Sequence, residues 1–349
     1  EDKWKPEITC TNINIICAVT NYSPAYLQNT LNLAGAYPTV VENCPPATLS
    51  YVDDFIDLEC TDPYSARIRR TWTAVDGSGN TASCLQNIYL DRRSVNDVLF
   101  PADVTINCNS ANVNTNPSAT GAPYLVALGQ NWPLSPSAGQ CEMQTAYVDQ
   151  VLPVCDGTYK ILRTWTVYDW CLPTNPNPPN QNPKYFIQVI KVTDSDGPTL
   201  ACPANLTVST DPFLCCGSPN LPDIVVEDAC SRIDSANARI VVRDPVTNQI
   251  TATYDLKGSM QDFPGNNHWE PDTLAVFGNT PCLPLGAHTV TYKLTDNCGN
   301  TSTCTFRLTM DDGTPPVVDC DEFTQVSLGI NGEVFVNATT FDDGSYDNC

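Results

Sequence analysis

Histidine occurs only twice in these 349 residues, at His268 and His288, methionine only three times, and Lys and Arg together number 17 against 39 Asp and Glu. So little histidine, with no pair of CxxC knuckles, removes zinc as the reason for the many cysteines. So little positive charge removes nucleic acid as a partner: phosphate binding needs clustered cations, and at a formal net charge of −22 the chain has no polybasic run. No apolar run reaches the ~18 residues that a membrane span requires, and no basic-then-apolar signal opens the chain, so no membrane span is expected. Capped segments of sustained 3.6-residue periodicity are missing, which leaves little room for helices. GxSxG, HExxH, P-loop and GxGxxG motifs are missing too, and neither histidine stands beside a recognisable nucleophile. Paired carboxylates are plentiful, as on any acidic surface. The chain does not read as an enzyme, and no catalytic residue is assigned.

What the sequence has instead is cysteine, 18 residues of it, and proline, 29. Cysteines in that number read as disulfides formed in an oxidising compartment, which places the chain outside the cell, secreted or at the cell surface. The acidic surface favours divalent cations over anionic membranes as partners. The chain opens at Glu1 and stops at Cys349 within an acidic turn, and it reads as a processed or trimmed piece of something longer. Its length suggests two to four domains.

Repeats organise the rest. The stretch "RTWTAVDGSGNTASC" (Arg70 to Cys84) returns as "KILRTWTVYDWC" (Lys160 to Cys171) and, more loosely, as "HTVTYKLTDNCGNTSTC" (His288 to Cys304). A cysteine opens each unit at Cys10, Cys108, Cys202 and Cys320, and another closes an acidic or apolar segment at Cys60, Cys155, Cys230 and Cys349. These anchors divide the chain into residues 1–93, 94–198 with a long insert, 199–316 with an insert, and 317–349, the start of a fourth unit. Within the motif, Trp72, Trp165 and Tyr292 alternate with threonines, so large apolar side chains face one way and polar ones the other, as in half-buried strands. Short alternating strands in units of ~100 residues imply all-β, two-sheet sandwiches in tandem.

On "ACPANLTVSTDP", "VEDAC" and "VTYKLTDNCGNTSTCTFRLTMDDGTPPVVDC", the sequence resembles the hyalin-repeat (HYR) family of immunoglobulin-like domains. "RTWTAVDGSGNTASC" and "DDGSYDNC" are especially similar to repeat arrays of large Bacteroidetes surface adhesins and filament proteins exported by type IX secretion. The resemblance is strong from Thr199 onward and confined to the anchors before it. It implies disulfide-stabilised, immunoglobulin-like sandwiches and, by analogy, a structural or adhesive role.

Within this frame Cys155 and Cys171 bracket one extended excursion and are expected to pair, as are their counterparts Cys230 and Cys298. Cys108 is then left with Cys141, by analogy Cys10 with Cys44, and Cys202 with Cys215 or Cys216. Cys60 is expected to reach Cys84, because the first motif strand ends in Gly77; Cys17, Cys282 and Cys304 stay unassigned. Carboxylates at the junctions, Asp194 and Asp196, Asp311 and Asp312, and Asp342 and Asp343, suggest calcium, which takes oxygen ligands from loops; favoured turn chemistry is the competing reading. Asp76, at the end of the motif strand, either caps its turn or helps hold a cation. Trp269, Trp170 and Trp132 sit in loops or inserts and can be read either as sugar-stacking rings or as packing beneath those inserts. "DSA" and "DTL" look like the O-glycosylation motif of the Bacteroidetes, at Ser235 and Thr273. The expected function is a rigid, non-catalytic segment of a large surface or filament protein. Its expected partners are neighbouring repeats, other filament subunits or cell-surface glycans. A carbohydrate-binding module, or the accessory domains of an exported polysaccharide-degrading enzyme, is the alternative.

Overall fold

The computed structural model describes residues 2–110, 113–134, 140–179, 181–262 and 273–349. The first sheet contains β1 (Ile13–Ile16), β2 (Thr48–Asp57), β3 (Tyr64–Val75) and β4 (Thr81–Asp91), side by side as β1-β4-β3-β2. β3 and β4 are an antiparallel hairpin with Trp72 opposite Cys84, and β1 runs parallel to β4 with Ile13 opposite Ile88. The second sheet repeats the order with β5 (Val104–Asn107), β6 (Met143–Pro153), β7 (Tyr159–Asp169) and β8 (Lys184–Thr193), as β5-β8-β7-β6. The third uses β9 (Leu206–Ser209), β10 (Ile233–Arg243), β11 (Ile250–Lys257), β12 (Gly286–Asp296) and β13 (Thr301–Asp311), in the order β9-β13-β12-β10-β11. The plan is shared; only β11, laid on the β10 edge, is added.

The period of two decides which side chains go inside. Along β3 the buried positions include Ala66, Ile68, Arg70, Trp72 and Ala74, and along β12 they include His288, Val290, Tyr292, Leu294 and Asp296. The hairpin turns "DGSGN" and "DNCGN" are closed by the backbone pairs Asp76 N to Asn80 O and Asp296 N to Asn300 O, each 3.1 Å. Both need a left-handed residue, supplied by Gly79 and Gly299 at φ 89° and 90°.

The chain gathers into two compact units. The first comprises Glu1–Ile106, Asn112–Leu152 and Lys160–Lys191. A continuous apolar core there includes Ile15, Ile68, Ile88 and Leu90 together with Val95, Leu125, Met143 and Val167. Its sheets are covered mainly by loops, two short helices (Pro24–Asn29 and Pro117–Thr120) and two-stranded ribbons, Glu7–Thr9 with Thr39–Val41 and Tyr124–Ala127 with Gln130–Pro133. The second unit comprises Asn107–Ala111, Pro153–Tyr159 and Val192–Cys349. Its cover is a second true sheet, Thr199–Leu200, Ile224–Glu227, Thr273–Val276 and Ser259–Asp262, and the two sheets share one core through Ile224, Val226, Ala275, Ile240, Tyr292 and Phe306. Residues 317–349 bury no side chain. The fold is all-β, with immunoglobulin-like sandwiches in tandem, stabilised by disulfides.

Candidate functional site

Seven disulfides form among the described residues. Cys10–Cys84, Cys17–Cys141 and Cys60–Cys171 lie in the first unit. Cys108–Cys230, Cys155–Cys298, Cys202–Cys304 and Cys216–Cys282 lie in the second. Every expected pairing is thereby corrected. Cys155 stands in the turn between β6 and β7, whereas Cys171 lies beyond the far end of β7, and a strand of 11 residues separates them by roughly 35 Å. Cys60 likewise sits at the β2–β3 turn, while Cys84 is opposite Trp72 toward the other end of the hairpin. Cys10 meets Cys84, not Cys44, because β1 runs beside β4 and carries the residues before it alongside the start of that strand. Cys202 reaches Cys304, its positional counterpart of Cys84, since Tyr292 stands opposite Cys304 as Trp72 does opposite Cys84. Cys108 bonds Cys230 rather than Cys141, and Cys298 bonds Cys155 rather than Cys230. Cys44 and Cys215, expected in disulfides, carry free thiols, as do Cys320 and Cys349.

The bonds follow a rule. Cys17 and Cys108 each directly follow the first strand of their sheets, and they bond to Cys141 and Cys230, which come shortly before β6 and β10. Cys60 and Cys155 come just after the strands β2 and β6, and they bond to Cys171 and Cys298, which lie just past β7 and β12. One pair of bonds joins the first sheet to the second within the first unit. The equivalent pair, in the second unit, joins the loops extending from β5 and β6 to the third sheet.

The chain also forms two equivalent corners of carboxylates, one of them beside the Cys108–Cys230 bond. Asp194, Asp228 and Asp296 bring one oxygen each within 4.8 Å of one another, and so do Asp2, Glu42 and Asp76. Each position corresponds. Asp76 and Asp296 end the motif strands, and Oδ1 of each accepts the amide of the turn asparagine, Asn80 or Asn300, at 2.8 Å. The same asparagine donates to the main-chain carbonyl of Asp2 at 3.1 Å or of Asp194 at 3.5 Å. Glu42 and Asp228 stand two residues before a cysteine and accept its amide, Cys44 N at 3.0 Å and Cys230 N at 2.9 Å. Burial raises the Asp194 carboxyl above its ordinary range against the Ser231 hydrogen bond, and the charges of Asp228 and Asp296 push the same way. The Asn80 side chain holds Asp76 below that range. Asp2 Oδ2 and Glu42 Oε2 are buried oxygens without a hydrogen-bond partner. Asp76 thus caps its turn and also belongs to a carboxylate cluster.

Of the expected calcium residues, only Asp194 enters such a cluster. Asp196 accepts from the side chains of Asn107 and Asn109. Asp312 accepts the Thr314 amide at 3.2 Å, Asp342 accepts the Ser345 amide at 2.7 Å, Asp343 donates its amide to Asp319, and Asp311 closes β13. These are the bonds of turns and a strand end. Asp2, Glu42, Asp76, Asp228 and Asp296 were not among the expected ligands. The signal for them lay in matching "EDKWKPEITC" to "TDSDGPTLAC" and "VENC" to "EDAC".

Trp132 and Trp170 have different surroundings. Trp132 packs against the apolar core and donates its indole N–H to Ala127 O at 3.1 Å, as packing under an insert requires. Trp170 is 62% exposed, edge-on to Tyr168. Trp269 lies outside the described residues. A cleft of about 330 Å³ lined by Gln28, Asn32, Leu33, Gly35 and Tyr37 contains no tryptophan. Ser235 lies at a register shift in β10, opposite Thr295, and Thr273 opens a strand of the covering sheet.

Residues 276–310 match the HYR domain model. No curated protein matches the chain. Among solved structures, extracellular cadherin domains 3–6 of protocadherin gamma B2 are similar at 10% identity over 94% of this chain and 77% of that one, with a TM-score of 0.24. The human desmocollin-1 ectodomain matches at 11% identity over 73% of this chain and 50% of that one (TM-score 0.18). CopC from Methylosinus trichosporium OB3b matches at 13% identity over 32% of this chain and 89% of that one (TM-score 0.19). At such scores these structures carry no argument about function, which rests on the residues above.

Proposed function

We propose that this chain is a mechanical spacer, a covalently braced array of sandwiches in an extracellular adhesive or filament protein, whose work is to resist extension and bending. The observation that carries the reading is the repeated pair of disulfides: Cys17–Cys141 with Cys60–Cys171, and Cys108–Cys230 with Cys155–Cys298. An enzyme or a lone binding module has no need to cross-link one sheet unit to the next, and a load-bearing array does. Each bond closes a loop of more than 100 residues, worth on the order of 4.7 kcal/mol in the chain-entropy model when taken alone. That exceeds what any exposed ion pair supplies. The division into units at 1–93, 94–198, 199–316 and 317–349 belongs to the same proposal. So does the finer setting, a Bacteroidetes surface protein exported by type IX secretion, which rests on the sequence resemblance. O-glycans at Ser235 and Thr273 belong to it as well.

The two carboxylate corners suit a divalent cation such as calcium. Each gathers three carboxylates, and Asp2 Oδ2 and Glu42 Oε2 are buried without partners. A cation there would neutralise like charges and stiffen the loops bearing Cys44 and Cys230.

Pulling the oxidised chain by its ends tests the spacer reading. The bonds Cys17–Cys141 and Cys155–Cys298 bypass 124 and 143 residues of chain. Reduction is therefore expected to lengthen the fully extended chain by on the order of 90 nm, at ~3.5 Å per residue. Equal contour lengths before and after reduction would refute the brace.

A further inference from the structure

We infer that Cys215 and Cys349, free thiols in this structure, form a third rung of the same covalent ladder. The inference rests on the brace reading and extends it to residues 317–349, which have no buried side chain to hold them in place.

The argument is positional first. Cys349 ends "YDNC", with an acidic residue two places before it, as Cys230 ends "EDAC" and Cys44 ends "VENC". Cys230 bonds to Cys108, the residue after β5 whose amide donates to Thr193 O at 3.0 Å. Cys17, after β1, donates likewise to Asp91 O at 3.3 Å and bonds to Cys141. After β9 the residue with that amide bond, to Asp311 O at 3.0 Å, is Thr210, so the ladder position itself lacks a thiol. The chain supplies one by a detour. Residues 211–216 fold back on themselves through Leu214 N to Asp211 O at 3.1 Å and Asp211 N to Cys216 O at 2.9 Å, which brings Cys216, and with it the adjacent Cys215, back to the residue after Thr210.

Local geometry agrees. Asn348 Nδ2 donates to Thr210 Oγ1 at 2.8 Å, to Asp211 O at 3.1 Å and to Leu214 O at 3.3 Å, clamping the end of the chain onto this fold-back. Cys215 beside the Cys349 thiol pushes it up to about 11. Cys216 is already committed to Cys282, so of the adjacent cysteines only Cys215 is available. Closure needs an oxidant, and a small organic disulfide R–S–S–R serves. One thiolate attacks it and expels R–SH, the second displaces the other R–SH, and two thiol protons and two electrons end on the released thiols while one S–S bond forms. By the same rule Cys44 and Cys320 have no partner among the described residues and stay reduced.

A Glu-specific protease gives the test. Cleavage after Glu333 produces the fragment 334–349, in which Cys349 is the single cysteine. The full chain is incubated with oxidised glutathione, alkylated without reductant, digested and analysed by mass spectrometry. The fragment should remain attached to the Cys215 peptide until dithiothreitol is added, and alkylated cysteines should fall from the four free thiols to two, Cys44 and Cys320. In Cys215→Ser the fragment should come free without reductant. An alkylated Cys349 in the oxidised wild type, or a fragment still attached in Cys215→Ser, overturns the inference. A second cut with trypsin reads the other bonds: Cys108–Cys230 joins the peptides 94–142 and 228–232, and Cys155–Cys298 joins 143–160 to 294–307. If they are present while Cys349 is alkylated, the third rung alone fails; if they are absent, the brace reading fails as well.

Discussion

The first sheet and the third solve one problem differently. Both are built on the same hairpin, and their registers match residue for residue: Trp72 opposite Tyr51 and Cys84 corresponds to Tyr292 opposite Ala238 and Cys304. Arg70, opposite Asp53 and Gln86, corresponds to Val290, opposite Ile240 and Phe306. A charged and polar cluster in one sheet is an apolar one in the other. The covers explain why. A sheet packed on the third offers paired backbone and apolar side chains, so Val290, Ile240 and Phe306 meet their like. Loops over the first sheet offer main-chain carbonyls with no ladder partner, and buried carbonyls must find donors. Arg70 donates to Tyr22 O at 2.6 Å, and Gln86 donates to Thr11 O at 2.8 Å and Gly35 O at 2.6 Å while accepting from the Trp72 indole. Asp53 balances the guanidinium at 2.7 Å, and Tyr51 stacks on it. The second sheet repeats this with Arg163, Asp149, Tyr147, Trp165 and Gln188, which serve Thr115 O, Ala102 O and Thr120 O. A buried arginine is therefore the mark of an irregular cover.

The largest expected effect breaks this comparison directly. Arg70→Met or Arg163→Met strands a carboxylate and a carbonyl and should destabilise the first unit by about 3 kcal/mol. Val290→Ala, at the matching position, loses only methyl groups and a small cavity, about 2 kcal/mol. Urea titration followed by tryptophan fluorescence measures the first pair, and near-ultraviolet circular dichroism of the Tyr292 cluster the second. If Arg70→Met proves milder than Val290→Ala, the donors are not what holds the loop cover. A slightly smaller loss, about 2 kcal/mol, is expected for Gln86→Leu, which orphans two carbonyls and the Trp72 N–H. The apolar Phe306 at the matching place shows that the position tolerates such a side chain when the cover is a sheet.

Much of this architecture was legible in sequence. Alternation about Trp72, Trp165 and Tyr292 marked three hairpins, and those residues are buried as expected. The segments before the anchor cysteines Cys60 and Cys155, "YVDDF" and "YVDQV", are legible as acidic or apolar, but their work with "RTW" is not, because Tyr51, Asp53, Arg70 and Trp72 meet only through strand register. Disulfide partners are not legible in the sequence, for a geometric reason. Cysteines that bracket a hairpin strand are near in sequence and a strand length apart in space, whereas true partners are separated by 66 to 143 residues. The carboxylate corners are half legible: Asp194 stands at a recognisable junction, but its companions Asp228 and Asp296 come from two other loops.

A further contrast concerns edges. β10 is covered by β11, while β2 and β6 stand at the open edges of their sheets and expose Val52 at 74% and Val148 at 73%. Open, apolar edges invite strand pairing, and lysine blocks it. Val52→Lys and Val148→Lys should leave the unfolding free energy from urea titration within about 0.5 kcal/mol of wild type. Concentration-dependent association in sedimentation velocity should fall. Unchanged association would remove edge pairing as a route to lateral assembly.

The smallest effect separates the two carboxylate corners by sign. Asp76 has its pKa lowered by Asn80, so its stabilising contribution is present above the ordinary carboxylate range and is lost as pH falls through its folded value. Asp194 has its pKa raised, chiefly by burial, so without a cation stability declines as pH rises from the ordinary carboxylate value through the raised one, and the loss is complete above it. In chelator at neutral pH, Asp194→Asn should therefore raise the melting temperature slightly, by removing a charge that Asp228 and Asp296 oppose. In millimolar calcium the same change removes a ligand, and the variant should melt below the wild type. Asp76→Asn should lower the melting temperature in both buffers, because the turn loses its acceptor whether or not a cation is present. If Asp194→Asn keeps the same sign in chelator and in calcium, the corner holds no cation, and its three carboxylates only fasten the loops around Asn300 and Cys230.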